Sequence, residues 1–477
     1  MLNLSPLSRA ALFLLASLIL GAALPVRAAS DVAADRAATR QTARDIYREL
    51  VEINTSQSVG DTYAAAQAMA ARLKTAGFPD ADVRTFETGP KRGNLVARIH
   101  GTGKRKPILL LAHIDVVEAK REDWTTDPYK LVEQDGYFYG RGTGDDKFMA
   151  AAIVSSFVRY RKEGYKPDRD IILALTTDEE ISDQHEYGIK YLLKNHRDLI
   201  DAEFALNEGG GVALQDGKAR WVSLQTTEKL FQSFWLEVTN SGGHSSQPSK
   251  DNAIYQLSEG LTRLSRFDFP IHLNETTRAY FTTLSGLNTG QDAADMKAAA
   301  AATPDAAAVA RLSTRPAYNA QFRTTCVATR LEGGHADNAL PQLARALVNC
   351  RIVPGETVSE VQATLIKALQ DERINVHPDE LDTGSAPSPL TRELTSAIGK
   401  LAPKFWPGAP LLPVMMTGAS DGRFLRNAGI PTYGHTGLAS DIFDNRAHGK
   451  DERIAVKSFN DGNEYLYELV KLLAGGR

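Results

Sequence analysis

The chain has 477 residues and only two cysteines, Cys326 and Cys350. This excludes a small disulfide scaffold and any metal site built from thiolates. Excess positive charge is also missing: 55 Lys and Arg stand against 58 Asp and Glu, a formal net charge of −3. Nucleic acid is therefore not the expected partner, because phosphate binding needs clustered basic residues. No polybasic tail points to anionic lipid. The longest apolar run, Ala10 to Leu24, is about 15 residues, short of the ~20 that span a bilayer as a helix. There is no internal repeat. A hydrophobic fraction of 43% and a charged fraction of 24% exclude disordered and collagen-like classes. At roughly 100–200 residues per domain the length predicts two or three domains.

What is present begins with an export signal. Arg9 gives a short positive start, the apolar run follows, and Val26-Arg27-Ala28 offers a small-residue cleavage site. Residues 1–28 are expected to be a signal peptide, leaving an exported protein, periplasmic or secreted, with no membrane segment after cleavage. Export permits a disulfide. Both cysteines sit in strand-like runs, TTCVATRL and ARALVNCRI, and either a cross-strand disulfide or two separate buried thiols fits that pattern.

Along the chain, helices are expected at 40–54, 62–76 and 149–164. Four short apolar runs, NLVARIH (94–100), PILLLAH (107–113), DIILALT (170–176) and AEFALNE (202–208), read as strands. Three are almost continuously apolar, which suits strands buried on both faces of a mostly parallel α/β sheet flanked by helices. From about 226 the pattern changes to alternating strands (231–242, 324–334, 344–355) with helices at 253–265 and 357–371. We read this as a smaller α+β domain inserted over 226–384. The larger domain is assigned 29–225 plus 385–477 and ends in a helix at 457–474. The Ala-rich stretch 290–311 is expected to be a helical surface insertion without chemistry.

Metal-capable groups follow the apolar strands: His113 and Asp115 after the second, Asp178, Glu179 and Glu180 after the third, Glu208 after the fourth. In open α/β sheets the site lies beyond the carboxyl ends of the strands, so these groups should converge. GRGTGDDK (140–147) adds Asp145 and Asp146 on a Gly-rich turn, and Ala447-His448-Gly449 adds a late histidine. Singly, such residues are commonly surface acids or helix caps. Together they form a carboxylate cluster whose burial is costly without a cation. Histidine and carboxylate without thiolate suit zinc or a related divalent ion.

In order and spacing, HIDVV, GRGTGDDK, TTDEE, NEGG and AHGKDERI resemble the M20 family of metallopeptidases, dinuclear zinc exopeptidases and amidohydrolases. The resemblance runs from about residue 40 to the end; SGGHSSQP (241–248) and NALP…NCR resemble the family's lid, or dimerisation, domain. It implies two zinc ions per subunit, with cobalt or manganese as alternatives. Asp145 would bridge them, a choice over Asp146 that rests on the family pattern alone. His113 and Glu208 would complete one site, Glu180 and His448 the other. Glu179 would be the general base, Asp115 would orient His113, and His244 would donate to the oxyanion, from the other subunit in dimeric members. Asn338 and Arg351 would grip a substrate carboxylate, and Gly418 would line the pocket.

The expected function is hydrolysis of an amide next to a free carboxylate, on a small peptide or an N-acyl amino acid, by a homodimer joined through the lid. A co-catalytic zinc aminopeptidase is the alternative within enzymes, but that class lacks the inserted segment. A periplasmic peptide- or metal-binding protein has no use for Glu179 beside Glu180. Phe148 departs from the family, where a small residue is common. His185, His335 and His435 match no ligand position, although His185 falls in a polar stretch close to the motifs.

Overall fold

The computed structural model describes residues 24–181 and 186–476. The first 23 residues of the expected signal peptide, and His185, lie outside this range. Among the described residues no helix is long and apolar enough to cross a membrane.

The centre is a ten-stranded sheet. Its spatial order is Val83–Gly89, Arg92–Ile99, Ile171–Thr176, Ile108–His113, Phe204–Asn207, Thr432–Gly434, Lys218–Glu228, Val212–Gln215 and Ala439–Asp441, with Leu411–Met416 also paired to Lys218–Glu228. Its middle is parallel, with Ile108–His113 flanked in parallel by Ile171–Thr176 and Phe204–Asn207. These middle strands are the continuous apolar runs, buried along their whole length. Antiparallel pairing is confined to the margins and to Lys218–Glu228.

Helices cover both faces, as a parallel sheet requires. One face carries Leu24–Glu52, Thr62–Thr75, Lys147–Glu163, Arg392–Phe405 and Val456–Ala474, whose apolar sides form the largest core. Phe148 belongs there, edge-on to Phe459. A side chain at Gly462 would meet the Phe148 ring at 2.6 Å, so this glycine accommodates the large residue. The opposite face carries the shorter helices Ile189–Asn195, Arg197–Ile200 and Gly422–Asn427.

The chain passes from this sheet to a second one across the single residue Lys229. The second sheet is antiparallel, ordered Thr325–Gly333, Leu343–Ile352, Leu230–Thr239, Asn375–Pro378. Two helices, Ala253–Leu264 and Val358–Leu369, share a separate core with it. Cys326 and Cys350 are direct cross-strand partners and form a disulfide.

The Ala-rich stretch differs from expectation. It belongs to a run of helices, Glu275–Leu287, Gly290–Ala299, Ala306–Ser313 and Pro316–Phe322, that buries Met296, Ala299, Val309 and Leu312 with Phe281, Phe322 and Leu412. Leu412 lies on a strand of the central sheet, so these helices close that sheet's side and are not a loose surface addition. Asp305 caps the third of them by accepting the Ala308 N–H, which satisfies a free donor of this short helix's first turn.

Candidate metal centre and cavity

His113 is the last residue of its strand, Glu208 directly follows Asn207, and Glu179 and Glu180 lie on the turn after Thr176. Since these strands are parallel neighbours in register, their three exits deliver the side chains to one edge. Asp145 comes from the Gly-rich turn before Lys147–Glu163, and His448 from the segment before the last helix.

Two ligand-capable clusters result, His113–Asp145–Glu208 and Asp145–Glu180–His448, each with its donor atoms within 4.8 Å of one another. Asp145 is common to both. Its Oδ1 lies 3.0 Å from His113 Nε2 and its Oδ2 lies 3.3 Å from His448 Nε2. His448 Nε2 is also 2.9 Å from Glu180 Oε1, and His113 Nε2 is 3.9 Å from Glu208 Oε2. Asp146, joined to Asp145 by a cis peptide bond, is buried and belongs to neither cluster.

The electrostatics are those of an acidic pocket drawing in positive charge. Burial pushes the Glu208 carboxyl well above its ordinary range, and the charges of Glu179 and Asp145 add to this. Burial raises Glu179 likewise, against the pull of His113 and with the help of Asp421, Glu180 and Asp115. Burial opposes charge on His113, but its bonds to Asp115 and Asp145 and the charges of Glu208 and Glu179 hold its pKa well above normal. Hydrogen bonds from Asp145 and Glu180 raise His448 to about 10. A donor set of two imidazoles and three carboxylates, directed inward, fits a pair of divalent ions.

Asp115 does more than its expected task. His113 Nδ1 donates to the Asp115 carbonyl at 3.1 Å, with the carboxylate 3.6 Å away. That carboxylate accepts the backbone N–H groups of Glu179 and Glu180, at 3.2 and 3.0 Å. One buried acid therefore orients the His113 ring through its backbone and fixes the turn bearing both glutamates. Asp178 and His448 have left-handed backbones, φ 63° and 62°, strain of the kind that firmly held sites retain.

The centre opens into a cavity of about 860 Å³ between the two sheets. Glu179, Glu180, Glu208, His448 and Gly418 line one end, and Phe231 and Arg351 of the second sheet line the other. The Arg351 guanidinium lies over the Phe231 ring at 4.6 Å and has no carboxylate partner among the described residues. The turn carrying Gly418 is held by Ser420, whose Oγ donates to Glu228 at 2.7 Å.

His244 and Asn338 do not line this cavity. They lie on an exposed two-stranded pair, with His244 opposite Ala339 and Ser245 N–H donating to the Asn338 carbonyl. His244 Nδ1 accepts the Ser246 N–H at 3.1 Å, which leaves the ring proton on Nε2 of this exposed side chain. His335 is exposed. His435 is a core residue, bonded to the Ser223 carbonyl and the Tyr465 hydroxyl, and burial lowers its pKa to about 4.

Sequence reasoning missed Glu452 and Arg141, which form a buried ion pair at 2.8 Å behind Asp145. Both stand inside quoted motifs, Arg141 in GRGTGDDK and Glu452 in AHGKDERI, and each lies within four residues of a motif ligand.

With this geometry in place, comparison with known proteins is informative. The profile of peptidase family M20/M25/M40 matches residues 109–472. The N-fatty-acyl-amino acid synthase/hydrolase PM20D1 of Xenopus tropicalis is 31% identical over 394 residues, 76% of this chain and 72% of its own. Probable carboxypeptidase S-like 2 of Dictyostelium discoideum is 29% identical over 388 residues, 77% of this chain and 71% of its own. Among solved structures, the M20 family metallo-carboxypeptidase Sso-CP2 of Sulfolobus solfataricus superposes with a TM-score of 0.68 at 18% identity, covering 91% of this chain and 99% of that one. Human carnosine dipeptidase 1 gives 0.65 at 15% identity, covering 93% and 98%. The chain belongs to peptidase family M20/M25/M40 and is a hydrolase of amide bonds.

Proposed function

We propose that this family member is an exported dinuclear zinc hydrolase. It frees an amino acid by cutting the amide next to a free carboxylate, as a carboxypeptidase, a dipeptidase or an N-acyl-amino-acid amidohydrolase. The observation that carries this reading is the shared Asp145. Its two oxygens face two different histidines, in a cavity whose far wall holds the unpaired Arg351. His113, Asp145 and Glu208 would hold one ion; Asp145, Glu180 and His448 would hold the other. When bound, the pair supplies Lewis acidity and lowers the pKa of a water toward neutral.

The protein's own groups do the rest. Glu179 takes the proton of the attacking water at its carboxylate and returns it to the leaving nitrogen; its raised pKa suits holding that proton between the two steps. The planar fork of Arg351, kept in place by the Phe231 ring, accepts a carboxylate through two parallel hydrogen bonds. His244, with its proton on Nε2, donates to the developing oxyanion. Because His244 and Asn338 sit outside the cavity of their own chain, they act from the lid of a second subunit in a homodimer. The Cys326–Cys350 disulfide supports export to an oxidising compartment.

Within this reading, an N-acyl substrate with a large apolar part is favoured by two cavity residues, Phe231 and Leu381, which are 39% and 76% exposed. Such exposure of large apolar side chains inside a cavity marks a surface meant to be covered. The test is amino-acid release from a panel of dipeptides and N-acyl amino acids by zinc-loaded mature protein, with and without chelator. Chelator-sensitive release from acids but not from their amides is expected. No release by fully metallated protein, or equal release from amides, overturns the reading.

A further inference from the structure

We propose that Glu452 is a positioning residue: its buried carboxylate locks the loop that carries Asp145 to the loop that carries His448, so that the Asp145–Glu180–His448 cluster is formed before any cation arrives. The proposal rests on the metal reading of that cluster.

The two loops are about 300 residues apart in the chain; strands Tyr137–Tyr139 and Arg453–Ala455 pair beside them and the Gly140 N–H donates to the Glu452 carbonyl at 3.1 Å, and the Glu452 side chain adds the link that reaches the ligand turn. Glu452 Oε1 accepts the backbone N–H groups of Gly144 and Asp145, at 2.7 and 3.2 Å. Its Oε2 accepts the N–H of Gly142 at 2.9 Å and Arg141 Nη1 at 2.8 Å. Arg141 closes the circuit, since its Nη2 donates at 2.9 Å to the carbonyl of Gly449, the residue after His448. Both members of the pair are almost fully buried, at 2% exposure each. A second pin comes from the neighbouring Asp451, whose carboxylate accepts the N–H and hydroxyl of Thr125.

His448 needs such an anchor. Its side chain is 55% exposed and its backbone is left-handed, so packing does not fix its position. Its distance from Asp145 and Glu180 is set by how firmly its segment is held. Three converging N–H groups make a nest for an anion, and both oxygens of a carboxylate are needed to satisfy them and Arg141 together. Glutamine, nearly the same shape, has one acceptor and would turn an NH₂ group toward N–H donors. Partners that orient ligands from behind typically change metal affinity by about 10–100-fold when lost.

The experiment is zinc titration of chelator-stripped protein by calorimetry, for the wild type, Glu452→Gln, Glu452→Asp and Arg141→Met. Leu466→Ala, in the core of the last helix, serves as a control for plain destabilisation. Glu452→Gln is expected to weaken one of two zinc equivalents about 10–100-fold, weaken the other less although Asp145 belongs to both clusters, and lower kcat without raising KM. Arg141→Met should do the same to a smaller degree, and Glu452→Asp should restore part of the loss. Two unchanged equivalents in Glu452→Gln overturn the proposal, as does equal weakening of both in step with Tm, the pattern expected of Leu466→Ala. Wild type that takes up no zinc overturns the metal reading and this proposal with it. Should Glu452→Gln fail to fold, hydrogen exchange on stripped wild type decides: protection of the Gly142, Gly144 and Asp145 amides without zinc supports the clamp, and free-peptide exchange there refutes it.

Discussion

The metal-side end of the cavity and the exposed strand pair bearing His244 are built on opposite principles. At the metal side, His113 is almost wholly buried, its ring is held by the Asp115 carbonyl, and the turn with Glu179 and Glu180 hangs on one carboxylate. Asp115, at the exit of one strand, thus ties down the turn at the exit of its neighbour. The strand pair has few bonds, Ser245 to Asn338 and Ser246 to His244, and His244 is exposed. Groups that must hold a crowd of like charges are fixed by the fold of one chain, because repulsion would otherwise disperse them. On the proposed reading, the donor needed only as charge develops is carried on a separate arm.

Removing a group from each region breaks this comparison most directly. Glu179→Ala is expected to lower kcat by about 10²–10⁴-fold while zinc content stays at the wild-type level, read by metal analysis of the same sample. Lost zinc would make Glu179 a ligand rather than a base. His244→Ala is expected to cost about 10²–10³-fold in kcat. Mixing and re-equilibrating the two inactive variants should recover activity, because a mixed dimer holds one site with both residues intact. No recovery, with exchange of subunits verified, would return His244 to its own chain's cavity or to no role.

Arg351→Ala sharpens the comparison from the second sheet. A charge-assisted pair is worth about 1.5–3 kcal/mol, so KM for substrates with a free carboxylate should rise about 10–150-fold, with kcat little changed and amidated substrates unaffected. An equal effect on both substrate types would reduce Arg351 to a packing partner of Phe231.

The same contrast explains what could be read before the fold was known. Buried parallel strands are continuous apolar runs that end abruptly in polar residues, so His113, Glu180 and Glu208 announce their position at strand exits. Helical pieces were legible over 290–311, but not the flanking helices Glu275–Leu287 and Pro316–Phe322, and the burial of the group depends on Leu412, a strand residue some hundred positions away that no local pattern encodes. Alternation placed both cysteines in strands, yet only the register that sets Cys326 opposite Cys350 decides between a disulfide and two thiols. Glu452 was invisible for a related reason. Its partners are backbone N–H groups, which every residue has, and their convergence is a property of the turn.

The smallest expected effect concerns the joint between the regions. Lys229 is the residue between the two sheets; its Nζ donates at 2.7 Å to the carbonyl of Arg323, at the other crossing. Burial lowers its pKa to about 7, with Glu356 opposing and Arg351 assisting. The unfolded chain's lysine titrates near 10.4. Between about pH 7 and 10 the unfolded state therefore binds a proton that the folded state does not, so this group makes stability rise with pH across that window. Below about pH 7 both states are protonated and the contribution is level. Lys229→Met removes the titration, so the stability difference between variant and wild type, from urea midpoints, should change steadily from pH 7 to 10 and level off below 7. A difference constant across that range would mean that the Lys229 ammonium keeps its charge at the joint. The two sheets would then be linked by a permanent cation rather than by a neutral amine that costs little to part from the Arg323 carbonyl.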